Sequence, residues 1–226
     1  MTPEIEAKFL DIDHAKFRAK LRELGAVRTK KPTLMTRAVF EDATGEMTAR
    51  GGWAHVRDEG NQITMSYKQT NNFSLTGTSE ICLKVDNFAN AVEFLKNIGL
   101  KQKSFQETRR ESWTLDGAEI DLDEWPWLPS FIEIEAPDEK IFASVAKKLG
   151  LNLANSLSAA VDRVYAKYYD VDFAEVNSWP EIKFTKNVPE WLAKKRRIAP
   201  EKRENNLVKT CESDSRKNSG GERGRK

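Results

Sequence analysis

The chain has 226 residues, 39% hydrophobic and 32% charged, which suits one large domain or a domain with extensions. Its net charge of +2 hides an asymmetry: from Lys194 onward twelve basic side chains face five acidic ones, so the body before it is near −5. No apolar run approaches the roughly 20 residues of a membrane helix and no segment reads as a leader peptide. Two histidines, with Cys82 and Cys211 far apart, exclude a histidine- or thiolate-built zinc site. These features point to a reduced cytoplasm and to a metal site, if there is one, built from carboxylates.

Residues 4–10 read as a strand, with Glu4, Glu6 and Lys8 on one face and Ile5, Ala7 and Phe9 on the other. Asp13 caps a helix from His14 to about Leu24, its apolar face formed by Phe17, Leu21 and Leu24, and Gly25 ends it. His14 is expected to be solvated. Strands are predicted over Leu34–Glu41, Gly52–Arg57 and Gln62–Lys68, separated by turns at residues 42–45 and 58–61. The polar stretch Gln69–Gly77 leads to a strand over Thr78–Val85. Asn87 then caps a helix with Phe88, Val92, Leu95 and Ile98 on one face. Strands over Glu107–Leu115 and Ala118–Asp123 flank the hairpin turn Asp116-Gly117, and Phe131–Ala136 follows. Pro137 opens a third helix, stopped by Gly150, and a fourth is predicted from about Ser156 to Tyr169.

Strand, helix and three strands thus occur twice. Two such halves predict an α+β fold: a closed eight-stranded antiparallel barrel, because closure removes exposed edges, with the helices packed outside. Residues 1–170 form this domain. Residues 171–198, carrying Trp179, Phe184 and Trp191, are expected to dock on it, with a short helix starting at Pro189. Residues 199–226 have almost no large apolar side chains and read as a disordered basic tail. The tail is expected to be solvated, with nucleic acid or an anionic surface as the alternative.

The charges fall in phase along the strands. His55 and Arg57 share a face, as do Thr64, Ser66 and Lys68, and Glu80, Cys82 and Lys84. Thr108 and Arg110 share another. Asp121 and Asp123 oppose Ile120 and Leu122; Glu133 and Glu135 oppose Ile132 and Ile134. A sheet with one wet face also alternates. Three paired carboxylates on three strands are different, because six acids turned inward repel unless cations lie between them. With Lys8, Arg57, Lys68, Lys84 and Arg110 spread over the remaining strands, the pattern fits a polyanion bridged by a divalent metal.

In these motifs the chain resembles the CYTH superfamily, which contains class IV adenylate cyclases and thiamine triphosphatases and is also called the triphosphate tunnel metalloenzymes. The signature ExExK is Glu4-Ile5-Glu6-Ala7-Lys8. The Arg-bearing strand is Trp53-Ala54-His55-Val56-Arg57, and the Lys-ending strand is Thr64-Met65-Ser66-Tyr67-Lys68. The acidic strands are Glu119-Ile120-Asp121-Leu122-Asp123 and Phe131-Ile132-Glu133-Ile134-Glu135. The resemblance implies a tunnel with a charged lumen, in which Glu4, Glu6, Glu133, Glu135 and an Asp hold Mg²⁺ or Mn²⁺. It favours Asp121, with Asp123 of the same parity. It further implies that Lys8, Arg57, Lys68 and Arg110, joined by Lys84 and His55, hold the triphosphate, and that Glu4, Glu6, Lys8, Arg57, Lys68 and Arg110 carry catalysis. The implied activity is metal-dependent hydrolysis of a small triphosphate: inorganic tripolyphosphate, a nucleoside triphosphate or thiamine triphosphate. The alternatives are cyclisation of ATP to cyclic AMP and pyrophosphate, and binding without turnover. Nucleic acid enters these expectations only through the basic tail, and a membrane partner not at all.

Three positions and one segment depart from the family pattern. His55 stands where many members have Arg, Cys82 where an acid often follows Glu80, and Thr108 where Lys is common. Trp125-Pro126-Trp127-Leu128-Pro129 replaces a glycine-rich link. It is expected to pack on the barrel, with stacking on a substrate ring as the alternative.

Overall fold

A computed structural model describes residues 2–72, 74 and 77–197; the side chains of residues 2–4 lie outside that description. The tail expected to be disordered also lies outside the described residues. Eight long or medium strands carry the fold: β1 (Thr2–Phe9), β2 (Val27–Asp42), β3 (Gly52–Asp58), β4 (Ile63–Thr70), β5 (Thr78–Val85), β6 (Leu100–Leu115), β7 (Ala118–Glu124) and β8 (Phe131–Ala136). They pair antiparallel in the order β2-β3-β4-β5-β1-β8-β7-β6, and a long β2–β6 ladder brings the two ends together.

The curl is not sealed. β1 meets β5 at only three register positions, Thr2–Glu80, Pro3–Ser79 and Glu4–Thr78, and from Ile5 onward it pairs with β8. Past Glu80 the second edge of β5 has no partner strand among the described residues. Ile81, Cys82, Leu83 and Lys84 are accordingly exposed. The closed barrel expected from the two similar halves is therefore corrected to an open, curled sheet, because β1 is too short and too staggered to cover both neighbours.

Two strands run longer than predicted. β2 begins at Val27, where Val-Arg-Thr-Lys-Lys-Pro-Thr reads as loop, and β6 begins at Leu100. Pairing between them holds both extensions, from Val27–Thr114 to Asp42–Leu100. Register shifts between Arg28 and Thr33 accommodate Pro32, which has no N–H for the ladder. The turn after β2 contains a short helix, α2 (Glu46–Ala49), that the turn residues did not announce.

The longer helices start at side-chain caps. In α1 (His14–Glu23) Asp13 accepts from Ala15 N and Lys16 N at 2.9 and 3.1 Å; in α3 (Phe88–Asn97) Asn87 accepts from Asn90 N. In α4 (Glu139–Lys148) the cap is Asp138. Each ends beside a glycine in the left-handed region, Gly25, Gly99 and Gly150. The fourth predicted helix, α5 (Val161–Tyr168), starts later than expected because Leu157 is bridged to Lys8 instead. The extension forms α6 (Phe173–Ser178), β9 (Glu181–Ile182) and α7 (Glu190–Ala193), with β9 parallel to β6.

Apolar side chains of the strands face outward. Ala7, Phe9, Ile120, Leu122, Ile132 and Ile134 pack with Phe17, Leu21 and Phe142 of α1 and α4. Ala38, Phe40, Ala54 and Val56 pack under Ala91 and Leu95 of α3. A third cluster joins Trp125 and Phe131 to Tyr165 and Tyr169 and to Val176, Trp179, Ile182 and Leu192 of the extension. Ile98 and Leu24, assigned to inward faces by periodicity, are exposed, since each is the C-terminal cap of its helix and lies past the packed turns. His14 is buried, not solvated: Nε2 lies 2.8 Å from the Phe131 carbonyl oxygen. With its apolar residues turned out to the helices, the sheet turns its polar parity inward.

Candidate functional site

The inner face is assembled by cross-strand register. Across β1–β8, Glu6 stands opposite Glu135 and Lys8 opposite Glu133. Across β7–β8, Glu119 stands opposite Glu135 and Asp121 opposite Glu133. Directly opposed residues have Cβ atoms only about 5 Å apart, so β1, β8 and β7 make one acid wall. Glu4 belongs to the same strand and its backbone pairs with Thr78, but its side chain lies outside the described residues.

Two cations are set into this wall. The Lys8 ammonium donates to Glu133 Oε1 at 2.5 Å and lies 3.9 Å from Glu6. Arg110 makes a fork to Asp123, with Nε to Oδ1 at 2.7 Å and Nη2 to Oδ2 at 2.6 Å, and reaches Asp121 at 2.5 Å and Glu133 at 2.9 Å. Ser112 Oγ donates to Asp121 Oδ1 at 2.5 Å. The acids respond unequally. Burial would raise Glu133, but Lys8 and Arg110 hold it well below the usual carboxylate range. Burial, with Asp123 and Glu119 beside it, pushes Asp121 up to about 8 in spite of Arg110. Burial and then the Glu133 charge push Glu6 up, and burial pushes up Glu135, which still reaches solvent. Burial would lower Lys8 and Arg110, yet the surrounding carboxylates raise both.

The facing wall, β2, β3 and β4, is cationic. Arg57 stands opposite Thr64 on β4 and opposite Arg37 on β2; His55 lies between Val39 and Ser66; Lys68 lies opposite Trp53. Lys68 Nζ is 3.6 Å from Glu80 Oε2 and contributes its charge to Glu6 and Glu135 across the lumen. His55 is 2% exposed, and its Nδ1 has no hydrogen-bond partner. Burial, then Arg57, Arg37 and Lys68, push its pKa well below the ordinary value, so it is neutral. At one end a cleft of ≈ 280 Å³ opens between Arg57, Arg110, Lys30, Glu59, Asn61 and Gln62.

Of the residues proposed from sequence, Glu6, Lys8, His55, Arg57, Lys68, Arg110, Asp121, Asp123, Glu133 and Glu135 come together on this face. Lys84 has the right parity, opposite Thr64, but lies exposed on the open edge of β5. Asp121 and Asp123 are both engaged by Arg110 rather than standing open. Arg37, Gln106 and Glu119 were not assigned. Glu119 shares the parity of Asp121 and Asp123 and could have been read from it; Arg37 sits between Met35 and Val39 on its face and gave no charge pattern. The aromatic link packs: Trp125 is buried in the third cluster, and the Trp127 ring lies 6.2 and 6.3 Å from Trp179 and Trp191.

The donor atoms on the acid wall are all hard oxygens, which suit Mg²⁺ or Mn²⁺ and not a soft metal. Among the described residues no three acids already converge as a coordination sphere. The fit is electrostatic: Glu6, Asp121 and Glu135 all have raised proton affinity, as crowded acids do, and a divalent cation reverses that.

A family model described as the CYTH domain matches residues 2–158. No curated protein sequence matches the chain. Among solved structures, a Vibrio parahaemolyticus protein provisionally named an adenylate cyclase is 14% identical, with a TM-score of 0.62, over 73% of this chain and 98% of that one. The PH1012 protein of Pyrococcus horikoshii OT3 is 23% identical, with a TM-score of 0.58, over 70% and 96%. A conserved hypothetical protein of Pyrococcus furiosus is 20% identical, with a TM-score of 0.59, over the same shares. At these identities the likeness is one of fold.

Proposed function

This chain belongs to the CYTH family, and from that premise we propose that it hydrolyses a small triphosphate with the help of a divalent cation. The observation that carries the reading is the division of the lumen into two walls. Arg57, His55 and Lys68 on β3 and β4 face Glu6, Asp121, Glu133 and Glu135 on β1, β7 and β8. A bare anion would be repelled by the second wall and a bare metal by the first. A metal–polyphosphate complex satisfies both at once. The proposal extends to a sealed tunnel when ligand is bound, since an anion drawing Lys68 of β4 and Lys8 of β1 together would close β5, which lies between them, onto β1.

Glu4, Glu6, Glu133, Glu135 and Asp121 would hold Mg²⁺ or Mn²⁺, which when bound neutralises charge on the transferred phosphoryl group. Lys8, Arg57, Lys68 and Arg110 bind the phosphate oxygens and set the chain in line for attack. A carboxylate of the acid wall, left ionised once the cation is in place, orients the attacking water and takes its proton. Arg110 keeps Asp121 and Asp123 fixed while that happens.

Cyclisation of ATP needs groups that hold the base and ribose. The cleft offers Asn61 and Gln62 but no aromatic ring, so hydrolysis is preferred. Incubation with Mg²⁺ and either tripolyphosphate or ATP separates the two: release of orthophosphate is expected. Cyclic AMP with pyrophosphate would replace this reading by cyclisation, and tight binding without turnover would replace it by a binding role.

A further inference from the structure

Arg37 belongs to none of the sequence motifs, yet it projects from β2 into the lumen. It stands directly opposite Arg57 in one ladder and Gln106 in the other. Its Nε donates to Gln106 Oε1 at 2.6 Å, and its guanidinium lies 4.7 Å from the centre of the Trp125 ring. Among the described residues no carboxylate comes within ion-pair distance of Arg37 or of Arg57. Burial, then Arg57 and Arg110, pull Arg37 down to about 9. The orphaned Nδ1 of His55 lies one step along β3 from Arg57 on the same face.

Such an arrangement is costly in a folded protein. Like charges directly opposite on neighbouring strands repel, and water only partly screens Arg37 and Arg57, which are both half-buried. Arg110 and Lys8 avoid that cost by lying against acids; Arg37 and Arg57 do not. Gln106 and Trp125 hold the Arg37 guanidinium in place without neutralising it, which leaves its charge available to an anion.

We propose that Arg37, Arg57 and His55 Nδ1 form an anion subsite beside Trp125 and Tyr165, and that it takes the terminal phosphoryl group of a polyphosphate chain. The proposal rests on the reading of the lumen as a triphosphate site. The subsite is backed on one side by the packed Trp125 and Tyr165 and joins, through Arg57, the cleft lined by Glu59, Asn61 and Gln62 on the other. The chain therefore enters with its terminal phosphate leading, and any organic group stays at the cleft. His55 binds as the neutral ring, donating from Nδ1.

Arg37→Met keeps a long side chain against Trp125 while removing the charge. The test is calorimetric titration with sodium tripolyphosphate and with pyrophosphate, alongside thermal melting of the ligand-free protein. The expected result is a fall of about 10- to 100-fold in tripolyphosphate affinity, a smaller fall for pyrophosphate, and a ligand-free melting temperature no lower than wild type. Unchanged tripolyphosphate affinity would overturn the subsite. So would a ligand-free protein that melts well below wild type, since Arg37 would then be a structural residue. Failure of wild-type protein to bind tripolyphosphate would instead overturn the reading of the lumen, and the subsite with it.

Discussion

Arg110 is the side chain whose removal the structure penalises most clearly. Its guanidinium touches Asp123 twice and Asp121 and Glu133 once each, at 2.5 to 2.9 Å. All three acids are nearly buried. Arg110→Met leaves three carboxylates crowded without their cation, and breaking a buried pair by removing one partner costs about 3–5 kcal/mol. For a domain of this size each kcal/mol lowers Tm by about 2–4 °C, so a drop of roughly 6–20 °C is expected at pH 8. The sign of the pH dependence follows from the charges. Asp121 already lies at about 8 in the wild type, and Arg110 is the charge that lowers it, so without Arg110 it rises further and its ionisation opposes folding more strongly. The loss is greatest at high pH and shrinks as pH falls and the carboxyl protonates. Urea unfolding of wild type and variant at pH 8 and pH 5.5 measures it. A loss that is below 1 kcal/mol at pH 8, or that grows on acidification, would refute the account of Arg110 as the counter-charge of the wall.

Further outcomes follow from other residues. Glu6→Gln and Glu133→Gln should each lower metal-dependent phosphate release by at least about 100-fold while the far-ultraviolet circular dichroism stays that of wild type; full activity in both would remove the metal assignment. The wild-type protein in chelator should be less stable at pH 9 than at pH 6.5. Asp121 is raised from 3.8 to about 8, so the cost of ionising it appears between those values, and 5 mM Mg²⁺ should narrow the gap; scanning calorimetry at the two pH values decides. Trp179→Ala should cost about 3–5 kcal/mol, because its ring packs edge-on against Tyr165 at 5.2 Å and Trp191 at 5.0 Å. A change under 1 kcal/mol in a denaturant titration would mean the extension does not contribute to the body's core.

Most of the acid wall was legible because strand parity has a period of two and needs no knowledge of neighbours. Ile5/Ala7/Phe9 against Glu6/Lys8, and Ile132/Ile134 against Glu133/Glu135, state which way each face turns. Parity does not state where a strand finds its partner. The stagger that leaves Ile81–Lys84 on an open edge depends on how far β1 runs beside β5, and nothing within β5 encodes it. Lys84 was misplaced for that reason. The extension of β2 through Arg28–Thr33 depends on β6 lying alongside and is invisible in a run so polar. His14 was misread because its burial comes from the Phe131 carbonyl, 117 residues away. Arg37 was missed because one charge between Met35 and Val39 makes no pattern until Arg57 and Gln106 stand beside it.

The central claim is that the two walls together hold a metal–triphosphate complex. Calorimetric titration of the protein with tripolyphosphate, in excess Mg²⁺ and again in chelator, tests it most directly. The account predicts one molecule bound per chain, with affinity at least tenfold higher when Mg²⁺ is present and reduced by Glu133→Gln only in its presence. Equal affinity with and without metal, or no binding in either condition, would contradict it.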